Sequence, residues 1–347
     1  MRITVNPPKS EWADLLRRPQ IDAPVIGERV AAILERVRAG GDRAVLDLTA
    51  EIDSVALDSL EVAPEEIERA EAAVSPELKR AIATAAEHIE RFHAAQRPRT
   101  VDLETAPGVR CLQRAVPIRR VGLYVPGGSA PLFSTVLMLA VPARVAGCPE
   151  VVLCTPARPD GTIAPEILYA ADLLSQAEHG PDSQTVLLTP SRGLAEQVAR
   201  EVERQLAVLP RRQTAALAIE NSRIVVLDSP DEMIEMSNAY APEHLILSVE
   251  DPWAVAERIT AAGSVFLGNY TPESAGDYAS GTNHTLPTYG WARSMSGVNL
   301  DSFLRKITYQ QITSDGLRGL GPTIETMASA EGLDAHRNAV TIRLESL

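Results

Sequence analysis

Glu243 and His244 are adjacent residues whose side chains could exchange protons with a substrate. They lie where the loop after a predicted helix enters a short apolar strand. A carboxylate beside an imidazole can act as a general acid/base pair, because the environment can tune both groups towards neutral pH. A capped turn with a hydrogen-bonded histidine explains the same residues equally well. The entrance of a strand is also not the usual place, since active sites of parallel α/β proteins lie at the carboxyl ends of strands.

Four further side chains have the donor chemistry of a zinc site. Gln176 and His179 are three residues apart on a predicted helix and share one face. With Asp277 and His336 they make a nitrogen and oxygen set that suits zinc, in which the amide of Gln176 is the unusual member. Spacing alone cannot bring them together. A polar helix face explains Gln176 and His179 at least as well, and a solvated tail histidine explains His336.

Other motifs are open to two interpretations or carry no predicted role. Pro126–Gly128 lies between a strand and a helix, where glycines allow backbone N–H groups to approach a phosphate, although a tight turn is an equal explanation. The long loop Glu273–His284 is typical of a functional segment, in which His284 could donate to a ligand. His88 and His93 lie on a charged helix and are predicted to be solvated surface residues.

Composition restricts the class of protein. The chain has 347 residues, a length that suggests two domains or a little more, and 45% of its residues are hydrophobic and 23% charged, as in globular proteins. Because 46 acidic residues outnumber 33 basic ones, a net charge of -13 argues against nucleic-acid binding. No apolar run approaches the ~20 residues of a membrane span, and the first residues lack a secretory signal. Three cysteines without a CxxC pair favour a reducing, cytoplasmic location.

Short apolar strands alternate with helices from about residue 110, which predicts βαβ units and a largely parallel sheet. The predicted strands are Val121–Val125, Val151–Cys154, Thr185–Leu188, Ile224–Leu227, Leu245–Leu247 and Val265–Leu267. Helices are predicted before residue 110, one ending at Gly40-Gly41 and one starting at Ser75-Pro76. The tail from Ser302 is predicted to be mostly helical.

Several long motifs resemble those of the histidinol dehydrogenase family. They are residues 121–136, 172–179, 241–244, 274–284 and 286–288, and the resemblance extends nearly from end to end. It implies a zinc-dependent oxidoreductase that converts L-histidinol to L-histidine in two NAD-linked steps through the aldehyde, the last step of histidine biosynthesis. It also implies two incomplete Rossmann-like lobes and a homodimer with intertwined terminal extensions.

The resemblance assigns roles to individual residues at matching positions. The implied zinc ligands, which would also contact the substrate, are Gln176, His179, Asp277 and His336, the last delivered from the second subunit. Glu331 resembles a further substrate contact that completes the second subunit's site.

The resemblance also implies the catalytic and cofactor residues. Glu243 resembles the residue that activates water at the aldehyde stage. His244 resembles the general acid/base of both oxidations and a substrate contact, and Tyr124 resembles an NAD contact.

One segment of the family pattern is missing. After Ala171 the family continues for several dozen residues that supply NAD and substrate contacts, whereas this chain continues directly with Asp172. Pro165–His179 is therefore predicted to be one continuous helix. The alternative function is a catalytically impaired homologue that keeps zinc and imidazole-ligand binding without hydride transfer.

The expected fold is α/β, with a Rossmann-like parallel-sheet lobe, a truncated second α/β lobe, a helical N-terminal segment and a C-terminal helical tail. The expected domains are an N-terminal extension (1–20), a main domain (21–120 with 172–298), the remnant of the second lobe (121–171) and a dimerisation tail (299–347).

Overall fold

The structure is a computed structural model that describes residues 2–18, 23–127, 132–168, 184–207 and 212–347. Its strands are β1 (Arg2–Val5), β2 (Val101–Ala106), β3 (Val109–Pro117), β4 (Arg120–Tyr124), β5 (Glu150–Cys154), β6 (Val186–Thr189), β7 (Arg223–Val226), β8 (His244–Leu247), β9 (Ser264–Leu267) and β10 (Leu304–Ile312). Its α-helices are α1 (Trp12–Leu15), α2 (Ala23–Ile52), α3 (Pro64–Ala73), α4 (Pro76–Ala94), α5 (Ser134–Ala146), α6 (Arg192–Leu206), α7 (Arg212–Asn221), α8 (Pro230–Tyr240), α9 (Pro252–Ala256), α10 (Glu273–Tyr278), α11 (Ser314–Ala330) and α12 (Asp334–Glu345).

The predicted parallel strands are confirmed. Strand β7 pairs in parallel with β1 on one side and β6 on the other, and β4–β5 and β8–β9 are parallel pairs. Within the described ranges these strands form three separate small sheets rather than one large sheet. Helices α5 and α9 connect the strands of the two-stranded sheets, as expected for βαβ units.

The helical prediction for the tail was wrong at its start. Residues Leu304–Ile312 form strand β10, which pairs antiparallel with β3 along its whole length, and β3 also pairs with β2. Ile307, Tyr309 and Ile312 favour an extended strand, and β3 supplies its backbone partner. The helical prediction is confirmed for α11 and α12.

Local signals determine the ends of two N-terminal helices. The Ser75 side chain accepts a hydrogen bond from the backbone N–H of Leu78, and Pro76 occupies the first helical position, which confirms the predicted start of α4. Helix α2 is interrupted at Gly41, whose φ of 54° is in the left-handed region. The predicted stop at the Gly40-Gly41 pair is therefore a break inside one longer helical segment.

One hydrophobic core lies between α4 and α5. It contains seven buried residues: Ala85, Ile89, Leu137, Met138, Val141, Val145 and Leu300. Helix α5 is buried on almost every side, because its opposite face packs against β4 and forms a second hydrophobic core there. Among the helices of the described ranges, none combines the length and apolar character that crossing a bilayer requires.

The prediction that His93 is solvated was wrong. Its side chain is 0% exposed and continues the buried face of α4 formed by Ile82, Ala85 and Ile89. The Nδ1–H of His93 donates to the backbone carbonyl of Ile89 at 2.8 Å. Burial lowers the pKa of His93.

Buried His93 leads to a prediction about stability and pH. Because its pKa is lower in the folded than in the unfolded chain, the unfolded chain binds more protons as the pH falls below about 6.5. We therefore expect the melting temperature to fall from neutral pH towards the folded-state pKa, and part of this fall to disappear in His93→Leu. His88→Leu, which replaces a half-buried histidine of the same helix, is the matched control. Identical pH dependence in both variants would contradict the prediction.

Candidate functional site

Glu243 and His244 follow a backbone segment held in an unusual conformation. Helix α8 ends at Tyr240, and Ala241 is left-handed, with a φ of 51°. The Arg18 guanidinium donates to the carbonyls of Tyr240 at 2.8 Å and Ala241 at 3.1 Å, and lies 3.9 Å from the centre of the Tyr240 ring. These contacts stabilise a sharp change of direction that delivers the two residues to β8.

The start of strand β9 and the residue before it form backbone hydrogen bonds with this segment. The Gly263 N–H donates to the carbonyl of Pro242, and the Ser264 N–H donates to the carbonyl of Glu243, both at 2.9 Å. A Cβ atom at Gly263 would lie 2.5 Å from the Glu243 carbonyl oxygen, so only glycine permits this close approach. His244 then pairs with Ser264 as the first residue of β8.

His244, Glu273 and Asp277 form a cluster, here called the His244 cluster. The imidazole is only 11% exposed, with Nδ1 3.4 Å from Oε1 of Glu273 and Nε2 3.9 Å from Oδ1 of Asp277. The two acids lie on the same face of α10, since they are one helical turn apart. The prediction of an irregular loop over Glu273–His284 was therefore wrong for Glu273–Tyr278, which is helical.

Phe266 of β9 packs against both the His244 ring and helix α10. Its buried ring lies 6.0 Å from the His244 ring, centre to centre. Helix α10 contacts the same ring through Gly276, where a Cβ atom would lie 2.8 Å from the aromatic carbon Cε1. Phe266 thus fixes the distance between the imidazole and the helix that carries Asp277.

The segment after α10 forms hydrogen bonds with helices α4 and α5. The Nδ1–H of His88 donates to the Ala279 carbonyl at 2.6 Å, and Asn283 donates to the carbonyl of Met138 at 2.6 Å. Gly281, with a φ of 103°, lies so close to α4 that a Cβ atom would be 2.7 Å from the His88 carbonyl oxygen. His284 is buried at the end of this segment. His88, predicted to be a solvated surface residue, is half-buried and anchors this loop.

Of the remaining predicted site residues, Tyr124, Glu331 and His336 are described by the structure and are not in the His244 cluster. Gln176 and His179 lie outside the described residues, as does most of the continuous helix predicted over 165–179. Tyr124 ends β4 and is 63% exposed, whereas Glu331 follows α11 and His336 lies in the first turn of α12. In the part of the chain that the structure describes, no three His, Cys, Asp or Glu side chains form a group able to hold a metal ion.

Sequence reasoning missed three residues that build the site: Arg18, Phe266 and Glu273. The spacing of Glu273 and Asp277 was a usable signal, because two acids four residues apart share one face of a helix. Arg18 and Phe266 gave no local signal, since they are distant in sequence from the residues they position.

Comparison with known proteins establishes the family. The profile of the histidinol dehydrogenase family matches residues 16–172 and 168–344. This chain belongs to the histidinol dehydrogenase family. A histidinol dehydrogenase of Bacteroides thetaiotaomicron is 46% identical over 426 aligned positions, which cover 100% of both chains. That of Escherichia coli K12 is 43% identical over 96% of this chain and 95% of the relative.

The solved structures confirm the α/β fold with parallel strands. The crystal structure of histidinol dehydrogenase from Elizabethkingia anophelis matches with a TM-score of 0.95 and 41% identity, covering 100% of this chain and 98% of that one. The two segments that match the family profile meet at residues 168–172, and the Bacteroides alignment is longer than the 347 residues of this chain. Both findings are consistent with a segment missing near Ala171 and Asp172, and the shortening stays a prediction.

Proposed function

We propose that this protein is a histidinol dehydrogenase that oxidises L-histidinol to L-histidine through the aldehyde, with NAD as hydride acceptor and zinc as resident metal. The single observation that carries the proposal is the His244 cluster, directly after Glu243, in a chain that matches the family along its length. A mostly buried imidazole beside carboxylates is suited to moving protons at a substrate hydroxyl.

His244 and Glu243 carry out the proton transfers of different steps. At each oxidation His244 accepts the hydroxyl proton of the substrate at Nε2 as the C–H bond breaks, and later releases it to solvent. At the aldehyde stage Glu243 accepts a proton from water as the water oxygen adds to the carbonyl carbon, and the former carbonyl oxygen takes up a proton from solvent, which gives the hydrate. His244 lies first in β8, and the β8–β9 pairing and Phe266 hold its ring in place for both oxidations.

Asp277 fits a zinc site. Its side chain is 18% exposed and faces His244 from helix α10. We propose that Asp277 binds zinc together with Gln176, His179 and His336 of the partner subunit, a set of carboxylate, amide and imidazole donors that zinc accepts. When bound, zinc would hold the amino alcohol and imidazole of the substrate, and NAD would receive the hydride of each oxidation, with Tyr124 as one contact.

The tail supports a homodimer. Met327, Leu333 and Ile342 are exposed apolar side chains of the segment that carries Glu331 and His336. Burying such residues against a second copy would be favourable and would bring His336 and Glu331 to the partner's site.

The proposed domains keep residues 299–347 as this dimerisation tail, 1–20 as an N-terminal extension, 121–171 as the remnant lobe, and 21–120 with 172–298 as the main domain. The free thiols of Cys111, Cys148 and Cys154 support a cytoplasmic location.

A direct assay tests the function. Purified protein with zinc, NAD and L-histidinol should produce two NADH per histidine, measured by absorbance and by chromatography of the product. Complete absence of NADH from folded, zinc-loaded protein would overturn the proposal.

One observation favours the alternative of a ligand-binding homologue without hydride transfer. Helix α5 packs against one face of the β4–β5 sheet through Leu123 and Leu153, whereas Val152 on the opposite face is exposed, so that face lacks cover among the described residues. Such a lobe offers NAD a smaller surface than a complete Rossmann-like lobe. Zinc-dependent binding of L-histidinol by calorimetry, without NADH formation, would support this alternative.

The contact between Gly276 and Phe266 provides a test of site positioning. In Gly276→Ala the added methyl group meets the Phe266 ring and must push α10 outward. We expect kcat for histidinol oxidation to fall about 10²-fold, since a displacement of about 1 Å can have this effect. Gly193→Ala is the control, because its nearest neighbour is 3.8 Å away and alanine favours its helix. Equal kcat values in the two variants would show that α10 tolerates the displacement.

A further inference from the structure

The two carboxylates of the His244 cluster contact different ends of the imidazole. Glu273 lies at Nδ1 and Asp277 at Nε2, at 3.4 Å and 3.9 Å respectively. This arrangement follows from the helical spacing of the two acids, which places them along the same side of the ring. The ring nitrogens of His244 therefore have distinct neighbours, one beside the proposed metal ligand and one beside a carboxylate to which the mechanism assigns no role.

A carboxylate at Nδ1 selects one tautomer of a neutral imidazole. An ionised carboxylate only accepts hydrogen bonds, so it favours the tautomer in which Nδ1 carries the hydrogen. In that tautomer Nε2 is the nitrogen that carries the basic lone pair and can accept a proton. Catalytic contacts of this length commonly shorten when the substrate binds.

We propose that Glu273 is a positioning residue, which holds the imidazole of His244 with hydrogen on Nδ1 and directs Nε2 at the substrate hydroxyl. This inference rests on the proposed function, because it assigns Glu273 to the proton transfer proposed for His244. Glu273 acts through His244 and does not itself contact the substrate. Its role is separate from that of Asp277, whose carboxylate is the proposed zinc ligand.

The tautomer of His244 can be measured without turnover. In zinc-loaded protein labelled with ¹⁵N-histidine, long-range proton–nitrogen NMR at mildly alkaline pH distinguishes the ring nitrogen that carries hydrogen. The His244 signals are those lost in His244→Asn. We expect hydrogen on Nδ1 in the unchanged protein and a shift of the population towards Nε2–H in Glu273→Ala. Glu273→Gln, whose amide oxygen still accepts a hydrogen bond, should retain part of the Nδ1–H form.

The kinetic effect should follow the same order. We expect kcat to fall about 10- to 100-fold in Glu273→Ala and less in Glu273→Gln, with KM for L-histidinol little changed. Glu250→Ala, an exposed acid at the other end of β8, is the matched control and should change neither readout. An unaltered His244 tautomer in Glu273→Ala would overturn the inference even if the enzyme is active. An altered tautomer in a protein that does not oxidise histidinol would support the contact and locate the failure in the proposed function.

Discussion

Replacing His244 with asparagine is expected to lower kcat for histidinol oxidation by about 10²- to 10⁴-fold, the usual contribution of a general acid/base. Asparagine cannot accept the hydroxyl proton, yet it is smaller than histidine and fits the same place at the start of β8. Bound zinc should remain near one ion per chain, because His244 is not a proposed ligand. The measurements are steady-state NADH formation and the metal content of the dialysed protein.

His88→Asn is the control for this effect. His88 is also a histidine and contacts the Ala279 carbonyl in the segment that follows α10, but it is half-buried on helix α4, outside the His244 cluster. We expect a change in kcat of less than about threefold, since one exposed hydrogen bond contributes little. If both variants lost activity equally, loop anchoring rather than proton transfer would explain the loss.

Asp277→Asn is expected to produce the second large effect, on metal content. The amide keeps the shape of the carboxylate but removes its charge, so the attraction between zinc and the site weakens. We expect zinc affinity to fall by more than about 100-fold, and kcat to fall with it when zinc is limiting. Metal analysis after dialysis against a weak chelator measures the first effect, and restoration of rate by added zinc measures the second.

Asp231→Asn provides the matched control for Asp277→Asn. Asp231 is exposed and pairs only at the surface with Arg258, at 2.7 Å. Exposed ion pairs contribute little to stability, so zinc content and kcat should match those of the unchanged protein. Retention of a full zinc ion by Asp277→Asn would remove Asp277 from the proposed ligand set.

Local sequence signals predicted the elements whose causes are local. Ser75 and Pro76 define the start of α4 through one cap and one fixed dihedral angle, and Gly41 interrupts α2 through its left-handed backbone. Strand β10 was not predictable in this way, because its extended conformation depends on pairing with β3 about two hundred residues earlier. His93 was mispredicted for the same reason, since its burial comes from α4 packing on α5.

In the candidate site, too, the sequence predicted what depends on residue type and missed what depends on tertiary contacts. The residue types of Glu243, His244 and Asp277 indicated proton and metal chemistry, but their spacing contained nothing that brings His244 to Asp277. That approach depends on β8 pairing with β9 and on Gly276 resting against Phe266. Both are tertiary contacts.

The pairing of β1 with β7 has a consequence for how the chain is made. Arg2–Val5 is made before Arg223–Val226, which emerges from the ribosome more than two hundred residues later. At a rate of protein synthesis of about 5 to 20 residues per second, β7 is made on the order of ten to forty seconds after β1. Closing so long a loop is also slow, because chain entropy opposes it. Until Arg223–Val226 has been made, the backbone N–H and C=O groups of β1 lack this strand partner and depend on water or another binding partner.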